Sequence, residues 1–249
     1  MRVKTVVAIG LAACLISLAV KAPVSLVSPR VDGWTRGAVT LLQPTGSVLG
    51  GSASVRLRLP GAAPITIDRV EWDWHALALL RGRVALGLRM TTDGVSGALT
   101  LGRSPGAWHV QEATLQGPAS ALSALYPSLG TWSPSGRIEL TAPDLRVDGA
   151  GFTGTATVHW RDAGLSLSAV QPLGTWRLTL AGEGGPANLS LTTSSGPLSL
   201  NGNGTVDIKG KATFTGMAKA EAGREADLEP VLVRIGPRGD DGTHAFRFP

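Results

Sequence analysis

Apolar and polar residues alternate along most of this chain. Between Pro172 and Gly216, Trp176, Leu178 and Leu180 alternate with Thr175, Arg177 and Thr179. Leu189 and Leu191 flank Ser190, Leu198 and Leu200 flank Ser199, Val206 and Ile208 flank Asp207, and Ala212 and Phe214 flank Thr213. Side chains on a strand switch face at every residue, so this period of two puts each apolar set on one face. Gly182 to Pro186, Ser194-Ser195-Gly196, Asn201-Gly202-Asn203-Gly204 and Lys209-Gly210-Lys211 separate the runs and predict tight turns. The pattern predicts an antiparallel meander with one apolar face.

The same pattern recurs upstream. Val55, Leu57 and Leu59 alternate with Arg56 and Arg58. Ile65 and Ile67 alternate with Thr66 and Asp68; Val70, Trp72 and Trp74 then alternate with Arg69, Glu71 and Asp73. The phase changes at Asp68-Arg69, which predicts a β-bulge there. Val84 to Met90 and Val95 to Leu101 predict strands paired around Thr92-Asp93-Gly94. Further strands are predicted at Trp108 to Leu115, Ile138 to Leu140, Leu145 to Val147 and Thr155 to Trp160, with an edge strand at Thr243 to Phe248. Helices are few. His75 to Arg81 predicts one or two turns, and Pro118 to Tyr126 a short helix with Pro118 in its first turn. Leu228, Val231, Leu232 and Ile235 repeat at i, i+3, i+4 and i+7 before Gly236-Pro237, which predicts a one-faced helix and its stop.

The predicted fold is therefore mainly β: a curved antiparallel sheet, as a groove, an open barrel or a sandwich, with two or three short helices. Those helices are too small to cover so long a sheet. Trp72, Trp74, Trp176, Leu178, Leu180, Leu189, Leu191, Leu198, Leu200 and Phe214 are the candidate lining, either of a closed core or of an open groove.

The N-terminus adds a membrane question. Arg2 and Lys4 precede sixteen uncharged residues, Thr5 to Val20, and Lys21 ends the run. Such a helix spans about 24 Å against a hydrocarbon core of about 30 Å, and lysine stems extend its reach to the headgroups. The reading is a cytoplasmic tail at 1–4, a transmembrane anchor at 5–21, a linker at 22–32 and an exported β-rich domain at 33–249. Val6, Val7, Ile9, Leu11, Leu15, Ile16, Leu18 and Val20 are the anchor's apolar residues. Two rival readings export the same domain. Val20-Lys21-Ala22 is a candidate signal-peptidase site, and Leu11-Ala12-Ala13-Cys14 is similar to a lipobox. Trp34 suits either the membrane interface or the core.

Composition supports this picture and excludes much else. Glycine at 33 and proline at 16 favour turns, and an apolar content of 43% is too high for disorder. The net charge of +5 comes from scattered arginines without a basic cluster or an aromatic platform, so it does not indicate nucleic-acid binding. Cys14 is the only cysteine, which excludes an internal disulfide. The four histidines, His75, His109, His159 and His244, have no metal-ligand spacing. Gly204 to Lys211 fails as a phosphate loop because strands flank it and Ala212 stands where Ser or Thr is needed. No catalytic, cofactor or metal site is assigned, and the chain reads as a non-enzyme.

The segment from Pro172 to Leu178, followed by Gly196 to Gly204, resembles type II secretion system protein N. So does the ending: Phe214, Gly216, Ala218, Arg224-Glu225-Ala226, Leu228, Leu232, Gly236-Pro237-Arg238 and Asp241-Gly242. Upstream, Trp72-Asp73-Trp74, Leu79-Leu80 and Gly82 are similar too, while Leu49 stands where the family has a tryptophan. The resemblance implies a single-pass component of the bacterial inner membrane with its C-terminal domain in the periplasm. It also implies other type II secretion components as partners, and no cofactor. That family is similar in turn to AsmA-like proteins, which implies the alternative of an apolar groove for phospholipid.

Overall fold

The computed structural model describes residues 22–26, 28–58, 64–75, 84–125 and 131–248. Its centre is one antiparallel sheet of thirteen strands, paired strictly in chain order from β1 to β13. The strands are β1 (Val39–Gly46), β2 (Gly50–Leu57), β3 (Ile65–Trp74), β4 (Val84–Thr92), β5 (Val95–Ser104), β6 (Ala107–Pro118) and β7 (Ser135–Asp148). They continue with β8 (Phe152–Gly164), β9 (Gly174–Gly185), β10 (Ala187–Ser195), β11 (Leu198–Val206), β12 (Ala212–Ala220) and β13 (His244–Phe248). Each strand hydrogen-bonds its sequence neighbour and β1 does not meet β13, so the sheet is open. Among the described residues three short α-helices accompany it: α1 (Ser28–Trp34), α2 (Leu122–Leu125) and α3 (Glu225–Ile235).

Most of the predicted alternation is realised. The bulge lies where the phase changed: Ala53 pairs with Val70 and Val55 with Ile67, leaving Ser54 opposite Asp68 and Arg69. Ser54 Oγ donates to the Asp68 carbonyl at 2.7 Å and fixes the irregularity. The β4–β5 hairpin turns through Asp93 and Gly94, both at positive φ, as a two-residue turn requires.

Three local expectations are corrected, and one strand lies outside them. Asn201-Gly202-Asn203-Gly204 is not a turn but the middle of β11. Pro118 ends β6 in an extended conformation and pairs with Arg137, so the helical turns begin only after it. The two short strands at 138–140 and 145–147 are one strand, β7, because Pro143 sits where the register shifts and no ladder donor is needed. Val39–Gly46, which sequence alternation did not reveal, forms β1; its own bulge between Leu42 and Thr45 breaks the period around Pro44. Within the predicted linker, Val24–Leu26 form a 3-10 turn and Ser28 begins α1. The predicted helix at 75–81 and the anchor residues at 5–21 fall outside the described residues, apart from His75. Among the described residues no helix is long and apolar enough to cross a membrane.

The core is concentrated in the second half of the sheet. Leu228, Val231 and Leu232 of α3 are buried and seat the helix against Trp176, Leu198, Ala218 and Ala220. Burying each such aliphatic side chain stabilises by about 1.5–3 kcal/mol relative to exposure. Glu225 and Asp227 in the first turn and Arg234 in the last suit the helix dipole. The sheet's two edges are protected differently. β1 carries Pro44, and the chain runs alongside its end, where Val48 N–H donates to the Ala22 carbonyl. β13 is only five residues long, and its start is flanked by the segment from Gly236 to Gly239.

Candidate functional site: an apolar face and its groove

The strand registers align one uninterrupted apolar row. Across the ladders, Ala53 faces Val70, then Met90, Gly97, Leu115 and Leu140. The row continues through Val158, Leu178, Leu191, Gly202, Gly216 and Phe246. It crosses from β2 to β13 without a polar side chain. One residue along, on the opposite face, the row is polar almost throughout: Glu71, Arg89, Ala98, Thr114, Thr141, Thr157, Thr179, Ser190, Asn203, Thr215 and Arg247. A slip of one residue in any pairing would exchange the two faces, so the bulges must keep the phase as well as bend the strands.

The apolar face is treated differently at its two ends. Over the second half α3 covers it, leaving a cavity of about 210 Å³ lined by Trp132, Trp160, Leu165, Trp176, Leu198, Leu200, Val231, Arg234 and Ile235. Trp160 and Trp176 meet edge to face with ring centroids 5.4 Å apart. At the far edge the glycines of the row lie beneath aromatic rings. Phe246 covers Gly216, Phe214 covers Gly202, and the two phenyl rings stack at 6.1 Å.

Over the first half the face opens into a groove of about 440 Å³. β1 to β5 supply its wall through Val39, Leu41, Val55, Ile67, Val70, Trp72, Trp74, Leu86, Leu88, Met90 and Leu99. Val24 and Val31 close its outer side, and Arg89 is the one charged residue at its margin. Trp72 and Trp74 are held by hydrogen bonds from both indole nitrogens to the Val48 carbonyl, at 3.2 and 3.1 Å. Gly51 lets Trp72 lie flat against β2, since a Cβ there would stand 2.8 Å from its ring.

The lining residues named from sequence thus divide among three places. Trp72 and Trp74 line the open groove. Trp176, Leu198 and Leu200 line the covered cavity. Leu178, Leu180, Leu189 and Leu191 form the cross-strand pairs between them and the Phe214 end, in the registers Leu178–Leu191 and Leu180–Leu189. Sequence reasoning missed Leu41, Val48 and Val24; Leu41 lies on the unpredicted β1, and Val24 is brought to Val48 by the Pro23–Ser47 bridge and the bond from Val48 N–H to the Ala22 carbonyl. Trp34 is 77% exposed and belongs to neither core nor groove.

The polar contacts are those of a scaffold. Ser104 Oγ and His109 Nε2 lie 2.9 Å apart and tie the β5–β6 hairpin, beside Arg103 stacked 4.5 Å over Trp108. His75 and Asp73 meet at 2.9 Å on the exposed face. His244 is buried, its Nδ1 2.8 Å from the Gly236 carbonyl, and joins β13 to the end of α3. Two carboxyls are held below the usual aspartate range: Asp148 mainly by the N–H of Ala150, and Asp241 mainly by the hydroxyl of Thr243. Both are turn acids that satisfy backbone donors. Among the described residues no three His, Cys, Asp or Glu converge as metal ligands.

No curated protein and no solved structure matches the chain at a significant level. The family profile of type II secretion system protein N matches residues 37–247, a span that runs from the turn before β1 into β13. Since the match covers nearly the whole open sheet, this chain belongs to the type II secretion system protein N family.

Proposed function

We propose that the chain is a non-enzymatic, single-pass inner-membrane component of the type II secretion system. Its β domain works in the periplasm by holding other components of the machine. Family membership supports the place in secretion. The carrying observation for a binding role is the unbroken apolar row from Ala53 to Phe246, with a groove open over β1 to β5. The part of that face left open over β1 to β5 is an apolar contact surface in want of a partner. The test is a chain carrying a photo-crosslinking amino acid at Leu88, expressed in the secreting bacterium. The reading expects crosslinks to other secretion components, and impaired release of folded exoproteins when the gene is deleted. Normal secretion together with no such crosslink overturns it.

A second reading is favoured by the groove's chemistry. Its wall is aliphatic and indole from end to end, which suits an acyl chain better than a peptide with its backbone polar groups. In that reading the domain binds phospholipid. Native mass spectrometry of gently extracted protein then shows added lipid mass, which Leu88→Arg abolishes. An empty domain overturns it.

A further inference from the structure

The corner where α1 meets β1 carries an exposed indole and arginines. Trp34 closes α1 with 77% of its surface exposed, more than any other large apolar side chain among the described residues. The chain then turns through Arg36, which is exposed and at positive φ. Arg58 lies against this turn: its N–H donates to the Ala38 carbonyl at 2.9 Å, and its guanidinium is 4.0 Å from where a Cβ on Gly37 would stand. Arg56, near the end of β2 and two residues before Arg58, pairs across the ladder with Thr40. Asp32, the only acid in residues 22–58, is engaged by Thr40 Oγ1 at 2.8 Å. Among the described residues no acid forms an ion pair with Arg36, Arg56 or Arg58.

We propose that this corner rests on the surface of an anionic phospholipid bilayer. Trp34 enters the headgroup layer, and Arg36, Arg56 and Arg58 face the lipid phosphates. An indole offers an apolar body with a polar tip and is favoured at that depth, and juxtamembrane arginines are drawn to anionic lipid. In sequence the corner also follows closely on the apolar run at 5–20. The inference therefore rests on the reading of that run as the anchor. Its consequence is orientation: the β1 edge sits at the membrane, and the sheet extends away from it toward β13.

The test uses the full chain with Cys14→Ser, reconstituted into vesicles of phosphatidylcholine alone or with phosphatidylglycerol. A nitroxide is attached at Gly33→Cys, where a side chain meets nothing within 4 Å, or at Met217→Cys on exposed β12 as the reference. In phosphatidylglycerol vesicles the label at 33 is expected to be relaxed by oxygen dissolved in lipid and shielded from a water-soluble relaxant. The label at 217 is expected to show the reverse. Arg56→Glu combined with Arg58→Glu, both exposed positions, should return the label at 33 to water while circular dichroism stays unchanged. Chain that resists alkaline extraction with a label at 33 as wet as that at 217 overturns the inference and leaves the anchor standing. So does contact at 33 that persists equally in phosphatidylcholine and in the charge-reversed chain. Chain released by alkali that shows lipid contact at 33 only at low salt supports the surface contact and overturns the anchor.

Discussion

Trp176 and Leu198 are joined across the sheet: the indole Nε1 of Trp176 on β9 donates to the Leu198 carbonyl at the start of β11, 3.1 Å away, with both residues buried. The bond spans β10, so one side chain ties together three strands beneath α3. The ring also packs edge to face on Trp160. Trp176→Phe keeps an aromatic ring but strands the carbonyl, and is expected to destabilise by about 1–3 kcal/mol. Trp176→Ala also leaves a void beneath α3 and is expected to cost about 3–5 kcal/mol. Urea unfolding followed by circular dichroism distinguishes the two. A Phe variant as unstable as the Ala variant would show that the hydrogen bond, rather than the ring, dominates.

Gly202 behaves as a seat for Phe214. A Cβ at Gly202 would stand 2.6 Å from Cε1 of that ring and 2.8 Å from the Thr215 carbonyl oxygen. Gly202→Val, although a better strand former in isolation, is therefore expected to lower stability by about 1–3 kcal/mol through overpacking. Phe214→Ala combined with Gly202→Val should recover part of that loss. A double-mutant cycle in urea measures the coupling, and additive effects would refute the seating.

Gly202 also shows where the sequence was legible and where it was not. Alternation located most strands, the helix α3 and the bulge at Asp68-Arg69, because burial on one face leaves its period in the sequence. Asn201-Gly202-Asn203-Gly204 carries the composition of a turn, yet it is strand. The missing Cβ atoms of Gly202 and Gly204 make room for the Phe214 ring of β12, and no local window contains that information. The groove was legible in part. Trp72 and Trp74 shared a face in sequence, but Val24 and Val48 reach the same wall only through chain reversal. Open and covered halves of one apolar face have the same sequence pattern. What separates them is the docking of α3 on one half.

Asp148 makes stability depend on pH at one turn. Its Oδ1 accepts N–H bonds from Ala150 at 2.9 Å and Gly151 at 3.2 Å, and Arg146 lies 3.0 Å from its other oxygen. These donors, the Ala150 N–H foremost, lower the folded pKa below the usual 3.8. A depressed carboxylate contributes stability above its unfolded pKa and loses it as pH falls through the folded value. Asp148→Asn is therefore expected to be less stable than the parent at neutral pH. The difference should begin to shrink near the ordinary aspartate pKa of about 3.9 and close only below the lowered folded value. Thermal melts from pH 7 downward check this, and a gap that stays constant with pH refutes it.

Leu88 and Leu198 occupy the two treatments of the same face, and the same substitution should separate them. Leu198 is 1% exposed beneath α3, so Leu198→Asp buries a charge among Trp176, Val231 and Ile235. Nothing there can pair with a carboxylate except Arg234 at the cavity's margin. The expected result is loss of the folded state, or a cost of several kcal/mol. Leu88 is half-buried on the wall of the open groove, where water reaches a new carboxylate and Arg89 follows it in sequence. Leu88→Asp is expected to shift stability by no more than about 1 kcal/mol, in the range of surface substitutions. It should nevertheless abolish whatever the groove holds, whether a secretion component or phospholipid, because one charge removes the apolar continuity on which either would depend. Chemical denaturation of the isolated chain alongside exoprotein release in cells reads both effects. A Leu88→Asp chain that unfolds like Leu198→Asp would mean that the groove is a filled core. A Leu88→Asp chain that folds and secretes normally would place the working surface elsewhere on the sheet.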